Sequence, residues 1–244
     1  MRVKILSIGN SFAQDAIHYL NRIGKADGNQ IEVVNMYIGG CPLSRHYRNM
    51  LAGDRVYELE YNGHATGFNF AMKEALFART WNYVTFHQAS AYSTVYDNYV
   101  PYLPAISDYV KKLVPKAKQF VYETWAYEEG SSRLAGMGYE RRVDMYNDVR
   151  ACYQQAAKDI NADGYIPAGA LFQRLLEKGV TNLHRDGWHA SRGIGRYALG
   201  LLWYQTFTGV DITDNAFADF DTPIDEDTVR IIKDTVKEFN GGTV

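Results

Sequence analysis

The feature that most constrains this chain is a regular alternation between short apolar runs and longer stretches with helical spacing. The apolar runs predict five β-strands, at residues 3–8, 31–37, 83–86, 120–122 and 164–166. Helical spacing is found at residues 12–26, 72–79, 103–116, 140–160, 168–178, 191–208 and 225–239. Strands joined through helices favour right-handed crossovers. The pattern therefore predicts an α/β fold, a three-layer α/β/α sandwich with a flavodoxin-like, mainly parallel, five-stranded sheet.

The whole chain, residues 1–244, is expected to form a single domain, which suits its length. Residues 55–70, with Asn62-Gly63 inside them, have the pattern of a small hairpin insertion. The helix at residues 225–239 is expected to close the fold, with Gly241-Gly242 as its stop.

Charge and hydropathy exclude several classes of partner. The 26 Lys and Arg against 28 Asp and Glu give a net charge of -2, without the basic face that nucleic acid requires. The first apolar run is too short for a membrane span. We expect a protein that is cytoplasmic as the sequence reads, or periplasmic or secreted if a leader has been removed. Nothing in the sequence indicates the oligomeric state.

Ser11 follows the first strand directly. In parallel sheets ligands bind at the carboxyl ends of the strands, so its hydroxyl is placed to enter the binding crevice. Backbone N–H groups at the start of a helix also favour a developing negative charge there. The competing interpretation is that Ser11 only caps the helix, which is the commonest role of a serine in that place.

Asp186 and His189 lie three residues apart in the last loop before a long helix. A nucleophilic serine needs a base, and the base needs an orienting carboxylate, so this pair can supply both. The alternative is a surface loop in which both residues only fix the turn. A metal site including His184 is a further alternative, which we do not favour because no other Cys, His or carboxylate cluster supports it. We expect no metal and no cofactor.

The motifs at the strand ends, taken in order, resemble the SGNH (GDSL-like) hydrolase superfamily. They are closest to a mainly bacterial branch of unknown function. The blocks are Gly9 to Phe12, Gly39 to Cys41, Gln88 to Ser90, Thr124 to Tyr127 and Arg185 to His189.

The resemblance implies that Ser11 is the nucleophile, His189 the general base and then acid, and Asp186 the residue that orients His189. It also implies an oxyanion hole made by the backbone N–H groups of Ser11 and Gly40 and a side-chain amide from the third block. The superfamily has Asn in that block, whereas this chain has His87-Gln88. Neighbouring strand residues face opposite ways, so one of the two is expected to face the site, and we favour Gln88.

Aromatic and polar residues beside these blocks are candidate substrate contacts, since aromatic rings suit stacking on sugars. They are Asn10, His87, Trp125, Tyr127 and Trp188. Asn10 is expected mainly to fix the turn, and Cys41 to be structural.

The function that follows is a serine esterase acting on a small-molecule or glycan ester, and we favour an O-acetyl or other O-acyl group on a carbohydrate. A carbohydrate-binding or degenerate module without turnover is the alternative from another class. Phospholipase or lysophospholipase activity is a third option.

Overall fold

The computed structural model describes residues 1–239, which contain one sheet of seven strands. The strands are β1 Arg2–Gly9, β2 Gln30–Tyr37, β3 Tyr57–Tyr61, β4 His64–Phe70, β5 Tyr83–Phe86, β6 Lys118–Glu123 and β7 Gly164–Pro167. Their spatial order is β4-β3-β2-β1-β5-β6-β7. Five neighbouring strands run parallel, in the flavodoxin-like order β2-β1-β5-β6-β7.

Helices cover both faces of this sheet. They are α1 Ser11–Ile17, α2 Leu20–Ala26, α3 Leu43–Ala52, α4 Met72–Phe77, α5 Tyr102–Leu113, α6 Ser132–Gly136, α7 Arg142–Asp159, α8 Ala168–Glu177, α9 Ile194–Thr208 and α10 Glu226–Lys237. α1 and α2 contact α9, whereas α3, α4 and α5 contact one another, and α7 lies against β6. β1 is buried from Ile5 to Gly9, on both its faces, as a central parallel strand requires. The predicted α/β/α class is confirmed.

The number of strands differs from the prediction, because residues 57–70 join the sheet. β3 pairs antiparallel with β2, and β4 pairs antiparallel with β3. The backbone N–H of Asn62 donates to Val33 O at 2.8 Å, and Asn62 Oδ1 accepts from Val33 N at 2.9 Å. A bare β2 would expose a row of unpaired backbone groups. The hairpin covers that edge, and the sheet has seven strands instead of five.

Helix boundaries also differ in places. The helix expected at residues 12–26 is interrupted after Ile17 and continues as α2. α3 was not expected, because two of its three buried residues, His46 and Asn49, are polar and leave no apolar periodicity. The helix expected at residues 225–239 corresponds to α10, and its expected stop, Gly241-Gly242, lies outside the described residues.

The tip of the hairpin rests on the junction between α1 and α2. Asn62 and Gly63 both have positive φ, at 51° and 83°, as a two-residue hairpin turn requires. A Cβ on Gly63 would lie 2.8 Å from the carbonyl oxygen of His18. Gly67, in the same hairpin, also has a positive φ of 74°, but an added Cβ there would meet nothing within 4 Å.

Gly63→Ala is therefore expected to lower the free energy of unfolding by about 3 kcal/mol, from left-handed strain plus the clash. Gly67→Ala is the matched control and should cost about 1–2 kcal/mol, from strain alone. Urea denaturation of both variants measures the difference. Equal losses would mean that the hairpin tip does not rest on His18.

Glu123 is a buried carboxyl group at the carboxyl end of β6. It is 1% exposed, accepts a hydrogen bond from the Tyr165 hydroxyl, and accepts another from the Ala170 N–H at 2.9 Å. Burial raises the pKa of Glu123 to about 7. Hydrogen bonds to the charged form oppose this rise without cancelling it.

This shift predicts a pH dependence of stability. In the unfolded chain a glutamate has a pKa of about 4.3, so between about pH 4.3 and 7 the native state binds more protons. Glu123 therefore lowers the free energy of unfolding as pH rises through that window. Glu123→Gln should flatten this slope, measured by urea denaturation at several pH values, while Glu226→Gln, at an exposed position of α10, should not. An unchanged slope in Glu123→Gln would contradict the assignment.

Candidate active site

In the turn between β1 and α1, Gly9 and Asn10 are buried, whereas Ser11 is partly exposed. A Cβ on Gly9 would lie 2.6 Å from Asn35 Oδ1 and 2.7 Å from His87 Cε1, so only glycine allows this packing. Asn10, 1% exposed, caps α1, because its Oδ1 accepts from Phe12 N at 3.0 Å. Ser11 is thus the first residue of the helix and not its cap. Its hydroxyl is free for other partners.

A continuous chain of hydrogen bonds joins Ser11, His189 and Asp186. Ser11 Oγ lies 3.0 Å from His189 Nε2, and His189 Nδ1 lies 2.7 Å from Asp186 Oδ2. With the imidazole proton on Nδ1, His189 donates to the carboxylate and accepts from the serine hydroxyl. The structure brings these three sequence-predicted residues together.

The Asp186 carboxylate also accepts backbone hydrogen bonds from its own loop. His189 N donates to Oδ1 at 2.9 Å, and Trp188 N donates to the same oxygen at 3.3 Å. Partial burial raises the pKa of Asp186, but the hydrogen bonds from His189 and Trp188 outweigh it, and the pKa lies below its ordinary value. Asp186 is therefore ionised at neutral pH and can stabilise an imidazolium.

The segment that bears this pair, residues 184–190, is fixed by the loop after β6. Trp125 Nε1 donates to Trp188 O at 2.7 Å, and Glu128 N donates to Gly187 O at 2.8 Å. Gly187 has φ of 86°, and a Cβ there would lie 3.0 Å from Ser131 Cβ. The close approach of the two loops needs a glycine at this point.

The two backbone N–H groups that the resemblance assigns to an oxyanion hole have no hydrogen-bond acceptor among residues 1–239. They belong to Ser11 itself and to Gly40, whose φ of 59° suits glycine. Asn10 links the first block to the second, since its Nδ2 donates to Cys41 O at 3.3 Å. Both groups that the resemblance assigns to an oxyanion hole are therefore free to donate.

Gln88 does not have the position expected of it. Its side chain is fully buried, Nε2 donates to Asn98 O at 2.8 Å, and Oε1 accepts from Leu43 N and Ala89 N, both at 2.9 Å. The bond from Leu43 N joins the third block to the start of α3. The amide is used in the scaffold and is not presented to an open crevice.

His87 is buried as well, so the expectation that one of the two neighbours faces the crevice needs correction. It is 1% exposed, lies beneath Gly9, and its Nε2 accepts from Asn10 N at 3.3 Å. Burial lowers the pKa of His87 to about 3, which keeps the ring neutral and able to accept. His87 therefore packs against the buried side of the turn between β1 and α1.

Only one of the three candidate aromatic residues is partly exposed. Trp125 is fully buried and stacks on Phe12, and Tyr127 is 2% exposed with its hydroxyl 2.9 Å from Ser90 Oγ. Trp188 remains half-buried, with its ring centroid 4.3 Å from that of His189. Trp125 and Tyr127 therefore pack the site, and Trp188 alone is available to a ligand.

Sequence reasoning missed Arg133, which stacks on this tryptophan. The guanidinium carbon lies 4.3 Å from the Trp188 ring centroid, and the side chain is exposed. No local signal identifies it, because the two residues are 55 positions apart and meet only through the loop after β6.

His184 is not hydrogen-bonded to Asp186 or His189. Its Nε2 donates to Ala126 O at 3.1 Å, and burial lowers its pKa to about 4. Among residues 1–239, no cluster of three or more His, Cys, Asp or Glu side chains is arranged to hold a metal ion. In the same part of the chain, no helix combines the length and apolarity needed to cross a membrane.

Known proteins share this fold. The family model described as Domain of unknown function (DUF4886) matches residues 4–231. A DUF4886 family protein from Bacteroides uniformis has a solved structure with a TM-score of 0.90 and 28% identity, covering 98% of this chain and 94% of that chain. No curated protein matches the sequence.

More distant solved structures have the SGNH fold. A proposed SGNH hydrolase from Slackia heliotrinireducens has a TM-score of 0.62 at 22% identity, covering 84% of this chain and 98% of that chain. A family 3 carbohydrate esterase from Clostridium thermocellum has a TM-score of 0.50 at 15% identity, covering 84% and 94%. With the SGNH-like fold and a family model that spans most of its length, this chain belongs to the DUF4886 family.

Proposed function

We propose that this protein is a serine esterase in which Ser11 is the nucleophile, His189 the general base and acid, and Asp186 the orienting carboxylate. The observation that carries the proposal is the unbroken hydrogen-bond chain from Ser11 Oγ through His189 to Asp186. A serine hydroxyl is a weak nucleophile unless such a base takes its proton.

In the first half-reaction, Ser11 Oγ attacks the ester carbonyl carbon while its proton passes to His189 Nε2. The tetrahedral intermediate collapses with cleavage of the carbon–oxygen bond, and the imidazolium gives its proton to the leaving alcohol. Water then attacks the acyl-enzyme, again with His189 as base, and releases the acid and free Ser11. Asp186 stabilises the imidazolium in both halves.

The negative oxygen of each intermediate needs donors that are already in place. The free N–H groups of Ser11 and Gly40 are the candidates, and each such donor is typically worth about 3–4 kcal/mol of transition-state stabilisation. Since the Gln88 amide is engaged elsewhere, the proposed oxyanion hole has two backbone donors.

For the substrate, we favour an O-acyl group on a carbohydrate. Trp188 supports this choice, because its half-buried ring lies beside the imidazole that must protonate the leaving alcohol. The sugar that leaves as the alcohol would place its apolar face on this aromatic ring and its hydroxyl groups toward solvent. Arg133, stacked on the same ring, supplies hydrogen-bond donors at the rim.

Ser11→Ala should abolish both covalent labelling by a fluorophosphonate and hydrolysis of acetate esters. The expected loss in kcat is roughly 10⁴–10⁶-fold, as for other serine triads. Ser7→Ala is the matched control: Ser7 is buried in β1 and its hydroxyl has no partner within residues 1–239. That variant should label and turn over like the wild type.

Peptide mapping of the labelled protein should locate the adduct on Ser11, and His189→Ala should reduce it strongly. If the folded wild type is not labelled and hydrolyses no ester, the esterase proposal is wrong. Glycan binding that persists in Ser11→Ala would then favour the carbohydrate-binding alternative.

Trp188→Leu tests the substrate class. It should raise KM for an acetylated sugar by about 10-fold with little change in kcat, because one stacking contact is lost. Trp188→Phe should keep most of the affinity. Steady-state kinetics with ethyl acetate, which has no sugar to stack, provide the comparison, and an equal rise in KM for both esters would contradict a sugar subsite at Trp188.

A further inference from the structure

Asp15 is a completely buried carboxylate close to the proposed nucleophile. It is 0% exposed and lies four residues after Ser11, so both side chains are on one face of α1. A buried carboxylate is costly unless it is paired and hydrogen-bonded. The identity of its partners therefore shows what the fold gains from it.

Those partners lie on both sides of the segment that bears His189. Arg185 Nη1 donates to the two carboxylate oxygens at 2.8 and 2.9 Å, and Ala190 N donates to Oδ2 at 3.1 Å. Arg185 immediately precedes Asp186, and Ala190 immediately follows His189. Arg196, near the start of α9, is the third partner and adds a fourth bond from Nε at 2.9 Å.

One carboxylate on the helix of Ser11 thus holds both ends of the loop that supplies the base. The Ser11–His189 distance of 3.0 Å is set between these elements, and no regular secondary structure joins them. The loop after β6 holds the same segment from the other side, through Trp188 O and Gly187 O. On the side of Ser11, Asp15 is the residue that binds this segment.

Arg185 gives Asp15 a second effect on the site. Arg185 Nε lies 4.0 Å from Asp186 Oδ2, the oxygen that binds His189 Nδ1 at 2.7 Å. While Asp15 holds the guanidinium, Oδ2 remains available to the imidazole. Without that anion, Arg185 keeps only its hydrogen bond to the carbonyl oxygen of Ala190, within the same loop. Its charge is then unpaired, and it can move onto Asp186 and compete with His189 for the same oxygen.

We propose that Asp15 is a positioning residue for the Ser11–His189–Asp186 group: it fixes the loop at Arg185 and Ala190 and keeps Arg185 away from Asp186. This inference rests on the proposed esterase function. It assigns to Asp15 no contact with the substrate.

The test uses Asp15→Asn in the full chain. The amide keeps an acceptor for Ala190 N but loses the charge that holds Arg185 and Arg196. We expect kcat for acetate esters and the rate of fluorophosphonate labelling to fall by about 10²-fold, the usual effect of a displacement of about 1 Å, with KM nearly unchanged. The downfield proton resonance of the Asp186–His189 hydrogen bond should disappear or shift.

Two further variants separate this role from a loss of stability. Ser107→Ala removes another buried hydrogen bond, to Gln119 Oε1 at 2.6 Å near the start of β6, and should lower the melting temperature without slowing labelling. Asp15→Asn/Arg185→Met removes the freed competitor. It should restore the downfield resonance and recover part of kcat, which a merely structural role of Asp15 does not predict.

If Asp15→Asn does not fold, Arg185→Met alone serves, because Asp15 then keeps Arg196 and Ala190 N as partners. It should slow labelling by about 10-fold or more, since one end of the loop is released, and keep the downfield resonance. Wild-type labelling rates in the folded variants, together with an unchanged resonance in Asp15→Asn where that variant folds, would overturn the positioning role. No labelling of the wild type would instead contradict the esterase proposal. In that case the downfield resonance of the Asp186–His189 hydrogen bond would still test whether Asp15 positions this loop.

Discussion

The position of β1 at the centre of the seven-stranded sheet determines which turns lie beside Ser11. β1 pairs with β2 on one side and with β5 on the other, in parallel register along its buried half. Parallel strands end at the same edge, so the turns after β1, β2, β5 and β6 are neighbours although long helices separate them in sequence. Ser11, Gly40 and Trp125 come together at this edge for that reason alone. The chemistry of the site depends on strand order first and on side chains second.

The five parallel strands could be predicted because each is an apolar run between helical stretches. The hairpin strands carry no such signal. β4 is exposed over most of its length, so the sequence indicates a turn-linked excursion, and nothing in it reveals that β3 pairs with β2. That pairing follows from a property of β2, an edge that would otherwise be open. Pairing between distant segments is a tertiary effect, and local periodicity does not contain it.

The same distinction, between local sequence pattern and contacts of distant segments, applies to the residues of the site. Ser11, Asp186 and His189 could be selected because each follows a strand or precedes a helix in a spacing that serine chemistry needs. Gln88, which the resemblance favours, and Trp125, an aromatic residue beside a motif, follow strands in the same way, yet both are fully buried. Position in the chain identifies which residues arrive at the sheet edge. Whether a side chain faces the crevice or the scaffold depends on neighbours such as Leu43 N and Trp188 O, which belong to other parts of the chain.

The buried residues around the site nonetheless act together as its support. The segment from His184 to Ala190 has no helix and only one isolated bridge, between those two residues, so its own hydrogen bonds cannot set the place of His189. Its geometry is instead determined from two sides, by the loop after β6 and by α1. Trp125 donates to Trp188 O from the first side, and Asp15 accepts from Ala190 N on the second. A distance between the proposed catalytic groups that is maintained in this way is only as precise as its supports, so in the proposed mechanism buried groups that never meet a substrate can limit the rate as strongly as those that do.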